Sequence, residues 1–167
     1  MFKEKIEEIV RESELAPFVM PAPGVGPSLA AAFIAYAGDG CRFAKGGEAA
    51  NYTGLTPKTD CSGETNRYGH IQRRRWVPGA EKRRAAVRLA LARSSGGGSL
   101  KAKFAALSPR TGKTKSAAAI ARRMIVLMRV LAKRRELYNG VSASGLERKF
   151  RCYKLAGWES LLKSPLT

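Results

Sequence analysis

Five stretches of this 167-residue chain carry residue types that could do chemistry. Ser62-Gly63-Glu64 lies in a polar segment with Asp60, Asn66, Arg67 and His70. A serine hydroxyl is a weak nucleophile that needs a base, a lowered pKa or a metal beside it. The same composition also serves an ordinary turn. Pro23-Gly24-Val25-Gly26-Pro27, followed by Ala30 and Phe33, has the make-up of the turn in a helix-hairpin-helix. Two glycines let the backbone reverse tightly and present N–H groups at a helix start, where they can hold a phosphate oxygen without reading a base. The bland alternative is a glycine-containing turn with no ligand. Arg73-Arg74-Arg75-Trp76 and Lys82-Arg83-Arg84 are basic clusters beside an aromatic. Phosphate contact with stacking on Trp76 and a solvated charged face both fit them. Thr111-Gly112-Lys113-Thr114 imitates the end of a phosphate-binding loop. The first glycine of G-x-x-x-x-G-K-T would fall at Leu107, and no apolar strand precedes it, so nucleotide hydrolysis is rejected.

Charge narrows the partners. Thirty-one Lys and Arg against thirteen Asp and Glu give a formal net charge of +18. Such an excess attracts a polyanion, because neutralised phosphates release their condensed counterions. Five of the acids precede Leu15, and between Cys41 and Arg135 only Glu48, Asp60, Glu64 and Glu81 remain. Nucleic acid is the expected partner; a membrane-surface protein and a ribosome-like structural binder are the alternatives. No apolar run approaches the roughly 20 residues that span a bilayer. Met1–Glu14 is too rich in glutamate for a secretory leader, and the expected location is cytoplasmic, on the nucleoid. Cys41, Cys61, Cys152 and the single His70 have no zinc-ligand spacing, and the thiols read as reduced.

The elements that must position these residues read as helices. Phe2, Ile6, Ile9 and Val10 recur at helical spacing. Pro17, Pro21, Pro23 and Pro27 interrupt any long helix from Leu15 to Pro27. A second helix follows from Ser28 to about Ala37, with Pro27 in the first turn and Leu29, Phe33 and Tyr36 on one face. Gly38–Gly47 reads as a loop, Glu48–Tyr52 as a short helix and Thr56–Gly69 as a polar, turn-rich loop. Ala85–Ala92 is helical in composition, and Ser94–Ser99 is a flexible linker. The clearest helix is Ser116–Arg135, where Ile120, Met124, Leu127 and Leu131 form a stripe with Met128 beside it. Arg122, Arg123, Arg129 and Lys133 fall off that stripe, toward solvent or phosphate. Asn139-Gly140 is a stop signal, and Leu146–Leu162 predicts a last helix interrupted near Gly157. No β alternation is evident. The expected fold class is all-α: a small helical domain with a helix-hairpin-helix-like element and a long amphipathic C-terminal helix.

In order along the chain, these pieces resemble the C-terminal domain of the insertion-sequence 110/116/902 transposase family. The pattern is carried by Pro23–Pro27, Ala30–Tyr36, Arg42-Phe43, Ala49–Tyr52, Gly54-Leu55-Thr56-Pro57, Ser62-Gly63-Glu64 and Gly69-His70-Ile71, then Gly112-Lys113, Ala117–Arg123 and Tyr138. It spans Leu15 to Gly140. The resemblance implies a two-part recombinase, in which an N-terminal RNase-H-like domain binds magnesium through an Asp/Glu tetrad. The C-terminal domain supplies a serine that attacks the DNA phosphodiester and forms a phosphoserine link. It also implies an element-encoded guide RNA and an oligomer. By position the serine is Ser62; where the family often has a second serine, this chain has Cys61. Arg67 and Arg73 would then be close enough in sequence to stabilise developing charge.

Two departures matter. The acids of this chain offer no tetrad, and Met1–Glu14 reads as the stub of a linker helix, so the acidic domain is expected to be missing. After Ile71 the family's glycine-asparagine pair is absent, and Gln72 to Gly79 runs through three arginines instead. A shifted reading frame or drift would account for that stretch.

The expected organisation is a linker stub over 1–14, a transposase C-terminal domain over 15–140 and a helical tail over 141–167. The expected function is DNA binding in transposition without autonomous cleavage. Ser62 is the candidate nucleophile; Gly24, Val25, Gly26, Arg67, Arg73, Arg74, Arg75, Lys113, Arg122 and Arg123 are the candidate DNA contacts. No metal ligand is expected here, and magnesium only together with the acidic domain. Expected partners are DNA, the guide RNA and a full-length transposase as homo-oligomer, with no membrane. The alternatives are a stand-alone DNA- or RNA-binding regulator of a full-length transposase, a serine recombinase completed in trans by a separate acidic domain, and a non-functional remnant.

Overall fold

Helices build the domain around one long element. The computed structural model describes residues 2–55, 57–62, 65–71, 98–139 and 143–153. In chain order it contains α1 (Phe2–Glu12), α2 (Ala16–Val19), α3 (Pro27–Ala37), α4 (Gly46–Tyr52), β1 (Pro57–Ser62), β2 (Thr65–Ile71), α5 (Gly98–Thr111), α6 (Lys113–Arg134) and α7 (Ala143–Tyr153). The helix α6 is the hub: α2, α3, α4 and α5 all pack on it, and α1 packs on α3. Its alanines, leucines, methionines and basic residues are strong helix formers. One face buries Ile120, Met124, Ile125, Met128 and Leu131. Each such side chain contributes roughly 1.5–3 kcal/mol on burial. Leu127, expected in the stripe, is only partly buried.

Local chemistry sets the ends. At the start of α6, Gly112 has φ 81, and its carbonyl accepts from the Ser116 N–H at 3.1 Å and from Ser116 Oγ at 2.9 Å. The helix stops at Arg135, which takes a left-handed φ of 53, four residues before the expected Asn139 signal. The helix α3 starts at Gly26 with Pro27 in its first turn, and ends where the Gly38 N–H bonds Ile34 at φ 59. Prolines hold α2 to a single turn. Glu48 Oε2 accepts from the Ala44 and Lys45 N–H groups at 2.9 and 3.4 Å and so caps α4. Val10 of α1 and Leu146 and Phe150 of α7 join the same core as α3 and α6.

Three features differ from expectation. Thr56–Gly69 was expected to be a loop, but residues 57–62 and 65–71 pair as a two-stranded antiparallel ribbon. Its polar composition hides the alternation, because neither face has the apolar period that marks a half-buried strand. Helix α5 was not expected; Leu100, Phe104 and Leu107 supply its apolar stripe, but the glycine run before it and Pro109 within it conceal the period. Residues 98 and 99, read as linker, belong to it. Ile9, expected on the apolar face of α1, is 57% exposed, whereas Val10 is 1% exposed. The segments 72–97 and 154–167, with the helix expected over Ala85–Ala92 and the break near Gly157, lie outside the described residues. Among the described residues, no helix is long and apolar enough to cross a membrane.

Candidate nucleic-acid interface

The turn from Pro21 to Gly26 is fixed by its own backbone and by apolar packing. The Ala22 N–H bonds the Val19 carbonyl at 3.3 Å, and the Val25 N–H bonds the Ala22 carbonyl at 3.2 Å. Gly24 holds φ 78, a left-handed conformation that glycine adopts at little cost. Ala22 and Val25 are 1% and 2% exposed. Of the three N–H groups expected to meet phosphate, that of Val25 is therefore already engaged. Among the described residues, the N–H groups of Gly24, Gly26 and Ser28 have no acceptor. They lie at the head of the eleven-residue α3, where the helix dipole favours an anion.

Ser62 is the last residue of β1 and pairs with Thr65, the first of β2. Asp60 stands opposite Arg67, Cys61 opposite Asn66 and Thr59 opposite Tyr68. Directly opposed residues share a face and neighbours along a strand alternate. Asp60, Ser62, Thr65 and Arg67 therefore belong to one face of the ribbon, and Cys61, Asn66 and Tyr68 to the other. Between Thr59↔Tyr68 and Pro57↔Ile71 the register slips, with two steps on β1 against three on β2. His70 falls in that bulged stretch. In the sequence, Gly63-Glu64 between threonine-bearing runs is a hairpin signal.

On α6, Lys113, Lys115, Arg122 and Arg123 are exposed. A Cβ on Gly47 would lie 3.9 Å from the Arg122 guanidinium, so this cation sits against the start of α4. Gly112 joins two helices and follows no strand, unlike the glycine of a nucleotide-binding loop. Arg73, Arg74 and Arg75 lie outside the described residues.

Arg129 corrects an expectation. It does not face solvent but is buried at 9% exposure, donating to the carbonyls of Phe43 and Ala44. Its helical position points at the Gly38–Lys45 loop, whose carbonyls need a donor. Its Nε has no partner among the described residues. Arg42, by contrast, has no role in the sequence reading beyond the Arg42-Phe43 pattern. Its exposed guanidinium lies 4.6 Å from the Phe43 ring and 4.2 Å from the Tyr52 ring and donates to the Tyr36 carbonyl. Stacking fixes this cation before any ligand arrives.

The acids are few and mostly engaged. Asp39 accepts from the Cys41 N–H at 2.9 Å, which lowers its pKa; a side-chain hydrogen bond to the same carboxylate raises that of the Cys41 thiol. Glu48 caps α4. Among the described residues no three His, Cys, Asp or Glu side chains come together as a metal site. The described side chains thus do not fit a magnesium centre.

The described residues thus form a helical domain with a glycine turn at the head of α3 and Ser62 on a two-stranded ribbon. The chain matches the Transposase IS116/IS110/IS902 family over residues 16–105, just over half its length, and belongs to that family. The match takes in the turn, α3, α4 and the ribbon with Ser62; the part of the resemblance from Gly112 to Tyr138 falls outside it. No curated protein and no solved structure matches the chain.

Proposed function

We propose that this chain binds the DNA sugar-phosphate backbone, without reading bases, as part of DNA transposition. The observation that carries this reading is the Pro23–Pro27 turn. It lies inside the family match, is rigidly packed, and has N–H groups left over at the head of α3. The net charge of +18 and the exposed Lys113, Arg122 and Arg123 supply the electrostatic attraction.

Ser62 is the proposed nucleophile. Its oxygen forms an ester to phosphorus as the bond to one deoxyribose oxygen breaks; the serine proton leaves and the departing oxygen takes one up. Arg67, which shares the ribbon face of Ser62 by register, is proposed to neutralise charge that builds on the phosphoryl oxygens. Acidic residues for a metal-assisted step would come from outside the described residues, and a homo-oligomer with a full-length transposase is one way to supply them. The excess charge serves a guide RNA as readily as DNA, and RNA is proposed as a second polyanionic partner.

The test is a salt series on two duplexes of unrelated sequence. Affinity is expected to fall by orders of magnitude between about 50 and 200 mM salt, equally for both, if several phosphates are held. Binding absent at low salt, or confined to one sequence, would overturn the reading.

A further inference from the structure

From Leu15 to Gly38 the chain carries no Asp, Glu, Lys, Arg or His. A phosphate held at the turn would thus meet no charged side chain from α2, the turn itself or α3, only backbone dipoles and the Ser28 hydroxyl. Among the described residues, a cation reaches the turn from a distant part of the chain. Lys149 of α7 places its Nζ 3.3 Å from the Ala22 carbonyl, the same carbonyl that accepts from Val25 within the turn.

The position of that lysine is unusual for a surface cation. Leu146, Lys149, Phe150 and Tyr153 recur at i, i+3, i+4 and i+7, the core-facing stripe of an amphipathic helix. Leu146 and Phe150 are 1% and 0% exposed, so α7 is anchored on both sides of Lys149. Its helix neighbour Glu147 is paired with Arg151 at 2.7 Å, and among the described residues Lys149 has no carboxylate partner. An ammonium has three donors, of which the carbonyl takes one. The charge is therefore partly desolvated, without a carboxylate partner among the described residues, and beside the turn.

We propose that Lys149 is the cation of the turn, and that its ammonium binds the same DNA backbone phosphate as the N–H groups of Gly24 and Gly26. This rests on the backbone-binding reading above. It extends the site to α7, which lies beyond the residues matched to the family. Burial holds the Lys149 pKa down at about 8, with no contribution from a neighbouring charge. On α2, the turn and α3 the one titratable side chain is Tyr36; on α7 itself there are Glu147, Arg148, Arg151, Cys152 and Tyr153. A phosphate bound beside Lys149 favours the charged form, so DNA binding takes up a proton above about pH 8.

The experiment compares wild type, Lys149→Arg and Lys149→Met on a short duplex DNA at fixed ionic strength, from about pH 7 to about pH 9.5. Wild-type affinity is expected to fall several-fold over that range, while Lys149→Arg, charged throughout, shows no such fall. Lys149→Met at neutral pH should bind several-fold more weakly, with a salt slope shallower by about 1. A Lys149→Arg variant that loses affinity with pH as wild type does would overturn the proposal, even if Lys149→Met fails to fold. So would a folded Lys149→Met with unchanged affinity and slope; in both cases backbone binding itself would stand. Wild type that does not bind at low salt would overturn both readings.

Discussion

The turn at Pro23–Pro27 and the ribbon that carries Ser62 are the two regions given a role in this account, and they are made from different materials. Around the turn, Met20, Ala22 and Val25 are each at most 2% exposed, and no charged side chain occurs from Leu15 to Gly38. The ribbon is polar at almost every position from Lys58 to His70 and is held by strand pairing. A grip that must not read sequence can be made of backbone donors alone, provided apolar packing keeps them aimed. A segment that must approach a reacting phosphorus has to carry its chemistry on side chains. On this account the packed turn fixes the DNA and the ribbon acts on it.

That division can be broken by substitution. Phe33 of α3 is 4% exposed in the core, and Phe33→Ala should cost about 3–5 kcal/mol in urea unfolding. Ser62→Ala should change stability by less than about 0.5 kcal/mol while abolishing any covalent protein–DNA adduct. Equal costs, or an adduct that survives Ser62→Ala, would end the comparison. A smaller effect probes the rim of the packed region, where Gly40 at φ 74 lies against Arg129. A Cβ there would stand 2.9 Å from Arg129 Cγ, so Gly40→Ala should cost about 2–3 kcal/mol from strain and overpacking together. A neutral result would mean that the Arg129 contact does not hold the loop.

How much of this was legible in the sequence follows from how local each feature is. Helix α3 announces itself through Gly26-Pro27 and the apolar residues after it, and α6 through a stripe three turns long. Pairing within the ribbon is also local, yet its signal is a two-residue turn rather than an apolar period, and polarity masked it. Arg129 looks like any basic residue on a long helix. Its burial depends on a loop whose carbonyls, 85 and 86 residues away, face it. The Lys149–Ala22 contact joins residues 127 apart, and no periodicity reports such a meeting. What could have been noticed is a lysine within the apolar stripe of α7. Arg42 was visible as a residue, but its stacking on Tyr52 required α4 to be placed.

The most direct test of the central claim is Gly26→Ala, with DNA affinity and unfolding measured on the same preparation. Gly26 has φ −109, open to any residue, and a Cβ on it would meet nothing within 4 Å. Stability should therefore change by less than about 1 kcal/mol. If phosphate is held at the head of α3, the added methyl group intrudes on its approach, and affinity should drop at least about fivefold. Unchanged affinity in a folded Gly26→Ala protein would contradict the claim that this turn is the DNA grip.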